Sequence, residues 1–129
     1  MTEDNFSVRS DVSYYVHSYE LWHDLGVINK RKNNEESLSA MFQTCLMSKC
    51  YTFLGERLYI CPRAAHGERL GFLKNKNDEV VEFGKDFNIT ETKGKLIEFI
   101  NRSFYINACN YCNGSSNESK TIKSAIQID

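Results

Sequence analysis

The sequence has little proline, no long apolar run and almost no net charge. Proline occurs once among 129 residues, while 41% of the residues are hydrophobic and 26% are charged. This composition is typical of a globular chain and argues against widespread disorder. The 16 basic and 17 acidic residues leave a formal net charge of -1, which gives no electrostatic reason to expect a nucleic acid or an anionic membrane as partner. The length predicts one domain.

From its residue patterns we expect no segment that directs the chain into or across a membrane. No apolar run approaches membrane-spanning length, and the first residues, "MTEDNFSVRSD", are too polar for a signal peptide. We therefore expect a cytoplasmic protein. Its five cysteines are an odd number, and in a reducing compartment clustered cysteines predict metal ligation, with disulfides not expected.

Local patterns predict an α+β fold with a β-hairpin and flanking helices. A strand is predicted over 12–16, and Asn34 is the expected N-cap of a helix. The apolar stripe of that helix, spaced i, i+3, i+4, i+7, makes Cys45 look like core; it comprises Leu38, Met41, Phe42 and Cys45. A second hairpin is predicted around a polar loop at 74–78.

A later helix is predicted to be capped by Thr90 or Thr92. Its expected apolar face comprises Leu96, Ile97, Ile100 and Phe104.

The segment from Cys50 to Cys61 alternates with period two and predicts a β-hairpin. Gly55 and Glu56 suit a type II′ turn, because glycine at the first central position tolerates positive φ. If Leu54 and Arg57 flank that turn, Cys50 lies opposite Cys61 on one face. The opposite face then carries Tyr51, Phe53, Leu58 and Ile60.

A second pair of cysteines, Cys109 and Cys112, is separated by two residues. At this spacing one tight turn directs two sulfurs at a common ion. The predicted metal ligands are Cys50, Cys61, Cys109 and Cys112. Four thiolates suit either a structural zinc or an iron–sulfur cluster, but zinc modules usually carry a short C-x2-4-C knuckle on both sides. The spacing therefore favours iron and sulfur.

In these cysteines and in Gly55, the sequence resembles the auxiliary-cluster domains of radical S-adenosylmethionine (SAM) enzymes, known as SPASM and, when shortened, twitch. The shared pattern is a cysteine, a glycine-containing hairpin, a second cysteine and, after a gap, C-x2-C. Gly55 lies one position further from the second cysteine than is usual, and the later cysteines of a full SPASM domain are missing. The resemblance implies a small metal-stabilised domain over 35–114 with one 4Fe–4S cluster, a linker or strand segment over 1–34 and a tail over 115–129.

The C-x3-C-x2-C motif that binds the catalytic cluster of radical SAM enzymes is absent from the sequence. A complete barrel also takes about 250 residues. The resemblance therefore implies an excised C-terminal part of an oxidoreductase, or a stand-alone relative, that does not cleave SAM alone. Its partner would be the radical SAM barrel domain, and its cluster would serve electron transfer. Three cations are candidates to offset the cluster's charge, or are ordinary surface residues: Lys49, Arg63 and Arg69.

Two other functions remain open. The first is a zinc-binding structural or interaction module with no redox role. The second is a small enzyme with a nucleophilic cysteine and one of three histidines, which no local motif supports; these are His17, His23 and His66. His66 is also a candidate to replace one metal ligand. The aromatic segment 12–22 would be shared with the barrel, so in the isolated chain we expect it to be mobile or covered in a homodimer.

Overall fold

A computed structural model describes residues 21–26, 28–31 and 33–126. In chain order the elements are β1 Leu21–His23, α1 Glu35–Thr44, β2 Thr52–Leu54, β3 Arg57–Tyr59, α2 Pro62–Arg69, β4 Val80–Glu82, α3 Ile89–Ile100 and β5 Thr121–Lys123, with 3₁₀ helices at Asn77–Glu79 and Asn107–Tyr111. This is the small α+β architecture that the sequence predicts. The predicted strand at 12–16 and the candidate His17 lie outside the described residues.

The strands form two small antiparallel sheets. In one sheet β1 pairs with β5, so that Trp22 lies opposite Ile122. In the other sheet the order is β2, β3, β4. The β1–β5 pairing joins a strand of the predicted N-terminal segment to one of the predicted C-terminal tail. The segments before and after the predicted cluster domain, 35–114, are therefore paired with each other through these two strands.

The first hairpin has the predicted register. Phe53 pairs with Leu58, and Leu54 and Arg57 flank the turn. The predicted type II′ turn is wrong, because Gly55 and Glu56 both have positive φ, of 58° and 62°, as in a type I′ turn. That turn also matches the twist of the flanking strands.

The hairpin ladder does not extend as far as the cysteines on either side of it. β2 begins at Thr52 and β3 ends at Tyr59. Cys50 lies in the preceding turn, where its backbone N–H donates to the carbonyl of Met47 at 3.0 Å. On the face opposite the cysteines, Ile60 is buried in the core while Phe53 is exposed.

The N-cap of α1 is the predicted one, whereas that of α3 is not. Asn34 Oδ1 accepts a hydrogen bond from the Ser37 backbone N–H at 2.8 Å. In α3 the cap is Asn88, whose Oδ1 accepts from the N–H groups of Thr90 and Glu91 at 3.0 and 3.1 Å. The predicted threonine caps were wrong because an asparagine stands in extended conformation one residue before the helix.

The buried face of α3 also differs from the prediction. Of the predicted face, Leu96 is partly buried against the core, Ile97 and Ile100 are exposed, and Phe104, also exposed, lies beyond the end of the helix. The fully buried residues of α3 are Thr92 and Phe99. Apolar residues occur on two sides of this helix, and the side that packs on β4 is the one carrying Thr92 and Phe99. An exposed apolar stripe therefore remains on α3.

Residues 62–82 fold differently from the prediction. The hairpin predicted around 74–78 does not form among the described residues, because β4 pairs with β3 and residues 70–73 carry no strand. The preceding segment is the helix α2. Pro62 occupies its first turn, where a missing N–H costs no hydrogen bond, and Ala64 and Ala65 are fully buried.

The core lies where α2, the three-stranded sheet and the second 3₁₀ helix meet. Its buried members include Ile60, Ala64, Ala65, Val81, Phe99, Ile106 and Ala108. Cys61 and Cys109 pack against this core from its edge. In the part of the chain that the structure describes, no helix combines the length and the apolar character needed to cross a bilayer.

Candidate metal centre

Three of the four predicted ligands line one cavity. Cys61, Cys109 and Cys112 lie on the wall of a cavity of about 50 Å³, and Cys45 lies there with them. Cys50 is exposed and does not line this cavity. The structure therefore brings together three cysteines from distant parts of the sequence and adds one that the helical pattern assigned to the core.

Cys61 reaches the cavity from the start of α2. It is the N-cap residue, in extended conformation with φ -152°. Burial raises the pKa of its thiol to about 11, the backbone groups of Ala64 and Arg63 oppose that rise, and the charges of Cys112 and Cys45 add to it. The thiol is therefore protonated at neutral pH when no cation is present.

Cys109 and Cys112 are placed by the 3₁₀ helix Asn107–Tyr111. Cys109 N–H donates to the Ile106 carbonyl at 2.9 Å, and Cys112, the C-cap, donates to the Cys109 carbonyl at 3.3 Å. Burial raises the pKa of the Cys109 thiol to about 12, with further increases from the charges of Cys61, Cys112 and Cys45. This tight turn holds both side chains on the cavity wall, as C-x2-C spacing predicts.

An amide group is directed at one of these sulfurs. Gly114 N–H lies 3.3 Å from Cys112 Sγ. Gly114 has φ +76°, and a Cβ there would lie 2.6 Å from Met41 Cγ. Amide donors to ligand sulfurs are a regular feature around metal–thiolate centres and tune their potential. Glycine therefore permits both the turn and its close packing against α1.

The raised pKa values of the Cys61 and Cys109 thiols indicate that these groups ionise together only when a cation is bound. Buried neighbouring thiolates repel one another, so a cation must replace their protons if they are to ionise together. All five cysteines carry free thiols. Among the described residues, no three His, Cys, Asp or Glu side chains are grouped as ligands of a single metal ion. Four of the five thiols, those of Cys45, Cys61, Cys109 and Cys112, instead line one cavity.

Of the three candidate cations, only Arg63 lines the cavity. Its Nη2 donates to the Tyr111 carbonyl at 2.7 Å and to the Gly26 carbonyl at 3.3 Å, and its guanidinium lies over the Phe72 ring at 5.2 Å. These contacts hold the Arg63 guanidinium against the backbone and an aromatic ring. Lys49 and Arg69 are exposed and lie outside the cavity wall.

Sequence reasoning missed Glu79, a buried carboxylate that supports the C-x2-C turn. Its side chain is 1% exposed. Oε1 accepts from the Asn107 N–H at 2.8 Å, and Oε2 accepts from the Lys76 N–H at 2.9 Å. Arg102 Nη2 lies 3.9 Å from Oε1. Glu79 thus anchors the first residue of the 3₁₀ helix that carries Cys109. A glutamate before a short strand carries no local signal of burial.

The two described histidines do not line the cavity. His23 Nδ1 lies 2.5 Å from Ser115 Oγ, and Ser115 is a cavity residue. His66 is exposed on α2. Neither is placed as a partner for a nucleophilic cysteine or as a replacement ligand.

Comparisons of this chain with models of known protein families, with characterised proteins and with solved structures find no match.

Proposed function

We propose that this chain binds a metal centre through Cys61, Cys109, Cys112 and a fourth cysteine, and that the centre is a 4Fe–4S cluster serving electron transfer. The observation that carries the proposal is the shared cavity: three thiols, from the end of a hairpin and from a C-x2-C turn, line it together. Disulfides are not the expected use of such a cluster in a reducing cytoplasm, and the cytoplasmic location is part of the proposal.

Two features of the cavity are consistent with a cluster, and the second of them favours it over the alternative, a zinc-binding structural module. The Gly114 amide is directed at Cys112 Sγ, and amide–sulfur hydrogen bonds set cluster potentials. The cavity volume of about 50 Å³ is several times the roughly 10–15 Å³ that one water requires, which suits a polyatomic group.

The chain's own residues would hold the centre and control its surroundings. A cluster ligated fully by cysteine exchanges one electron without binding a substrate. The half-buried positions of Cys61 and Cys109 limit the access of water to the sulfurs. The cavity walls formed by Ile60, Ile106 and Ala108 keep the local dielectric constant low. Both effects favour a low charge on the centre and so influence its potential.

The link to radical SAM enzymes rests on the sequence resemblance alone. On that proposal the chain supports a barrel domain of the parent oxidoreductase, and its centre receives or relays an electron. The surface of the β1–β5 sheet would be shared with that partner or with a second copy of the chain. Leu21, Trp22 and Ile122 are all exposed on these strands, and exposed apolar surface of this kind tends to be covered.

Anaerobic purification followed by iron, sulfide and zinc analysis tests the proposal. We expect about four iron and four sulfide per chain, and an EPR signal that appears on one-electron reduction. About one zinc per chain with no sulfide would instead establish the structural module. A chain that contains neither and takes up neither on anaerobic reconstitution would refute both.

A further inference from the structure

We propose that Cys45, and not Cys50, supplies the fourth thiolate of the centre. This inference rests on the proposed metal site and names its missing ligand. It differs from the sequence-based prediction, which placed Cys50 opposite Cys61 across an extended hairpin.

The cavity wall distinguishes the two cysteines. Cys45 lines the cavity beside Cys61, Cys109 and Cys112, whereas Cys50 does not. Cys45 is half-buried, and Cys50 is exposed to solvent. A ligand of a centre in this cavity must lie on the cavity wall, and of these two cysteines Cys45 is the one that does.

The end of α1 fixes Cys45 in that position. Leu38 and Phe42 are the buried residues of α1 and hold the helix against the core. Cys45 is the C-cap, with φ -73° and ψ 120°, and its N–H donates to the Phe42 carbonyl at 3.3 Å. Since position 45 continues the buried stripe of α1, its side chain faces inward as that stripe predicts.

Backbone contacts tie the Cys45 end of α1 to the segment that follows Cys112. Leu46 N–H donates to the Ser115 carbonyl at 2.6 Å. Met41, one turn earlier in α1, packs so closely on Gly114 that a Cβ there would lie 2.6 Å from its Cγ. The chain directly after Cys45 and the chain directly after Cys112 are thus held together, which places both thiols on one cavity.

Cys50 would have to leave a hydrogen-bonded turn to reach the same place. Ser48 N–H donates to the Cys45 carbonyl at 3.2 Å, and Cys50 N–H donates to the Met47 carbonyl at 3.0 Å. These bonds organise the turn between α1 and β2 and leave Cys50 on its outer side. Cys45 already lines the cavity, so its ligation does not require this turn to open.

Alanine substitution of each cysteine separates the two assignments. Wild type, Cys45→Ala and Cys50→Ala are reconstituted anaerobically with ferrous iron and sulfide, and iron per chain and EPR spectra are measured. We expect Cys50→Ala to match wild type. We expect Cys45→Ala to lose at least a quarter of its iron or to show the signal of an oxidised three-iron cluster, because three thiolates remain. Circular dichroism of the metal-free proteins checks folding, and Cys45→Val, which keeps an apolar side chain that cannot bind metal, repeats the test if the alanine variant does not fold.

A second probe does not depend on whether the resident centre is iron or zinc. Cobalt(II) is titrated into the metal-free proteins, and the sulfur-to-cobalt charge-transfer absorbance is compared. Cys45→Ala should lose about a quarter of that absorbance, since one of four thiolates is gone, while Cys50→Ala should lose none.

These two experiments distinguish a wrong assignment of the fourth ligand from the absence of a metal site. Loss in Cys50→Ala with retention in Cys45→Ala overturns this inference and leaves the metal site intact. Equal loss in both variants also overturns it. If wild type itself binds neither iron nor cobalt, the proposed function fails, and this inference fails with it.

Discussion

Replacement of Glu79 by glutamine tests whether a buried carboxylate supports the C-x2-C turn. The amide keeps one oxygen, but its NH2 group takes the place of the other and faces a backbone N–H, either that of Asn107 or that of Lys76. A buried donor without an acceptor costs about 1–3 kcal/mol, and replacing a charged acceptor by a neutral one weakens the surviving bond. The expected loss is therefore about 2–4 kcal/mol, a large part of the roughly 5–15 kcal/mol typical of a domain.

Asp78→Asn is the matched control for this experiment. Asp78 precedes Glu79 and also contacts Arg102, at 2.9 Å, but its side chain is 68% exposed. Both substitutions remove one negative charge beside the same arginine and differ mainly in burial. Urea unfolding of the metal-free proteins, followed by circular dichroism, should show a loss of less than about 1 kcal/mol for Asp78→Asn. Equal losses in the two variants would refute the anchoring role of Glu79.

Two further predictions concern close packing and pH. Gly114→Ala should lower the free energy of unfolding by about 2–4 kcal/mol, because alanine is strained in the left-handed region and overpacks against Met41. Gly55 also has positive φ but has open space around it, so Gly55→Ala should lower it by only about 1–2 kcal/mol in the same urea assay. Equal losses in the two variants would exclude a role for the Met41 contact. Burial by itself raises the pKa of Glu68, but hydrogen bonds, led by that from Tyr59, and the Arg57 charge outweigh burial and lower the pKa. The ionised Glu68 therefore contributes to folding stability above about pH 4.5, and this contribution is lost as the pH falls through the lowered pKa. Glu68→Gln should flatten the acid limb of the stability profile, and an unchanged limb would contradict this assignment.

Features set by adjacent residues could be predicted from the sequence. Asn34 caps α1 because its side chain reaches an N–H three residues away, and the register of the first hairpin follows from a two-residue turn. At α3 several residues compete for the same role within one turn, and Asn88 was not among the predicted caps. When several capping residues lie within one turn, their side-chain chemistry identifies the candidates for the N-cap but does not select one of them.

Features set by distant contacts could not be predicted in the same way. The helix α2 is stabilised by burying Ala64 and Ala65 in a core assembled from remote segments. The position of Cys45 on the apolar stripe of α1 could be predicted from the sequence. The cavity that Cys45 lines could not, because it forms only where α1 meets the loop after Cys112. Glu79 is buried because a remote 3₁₀ helix presents an N–H to it.

The central claim is that thiols from the hairpin end and the C-x2-C turn hold one centre. The most direct measurement is the metal content of Cys109→Ala beside wild type, both purified anaerobically and analysed for iron, sulfide and zinc. Cys109 lines the cavity and is only half-buried at the edge of the core, so its truncation to alanine removes a ligand while most of the core packing remains. We predict that wild type carries the metal and that Cys109→Ala, while still folded by circular dichroism, loses most of it. Full metal content in the folded variant would contradict the account.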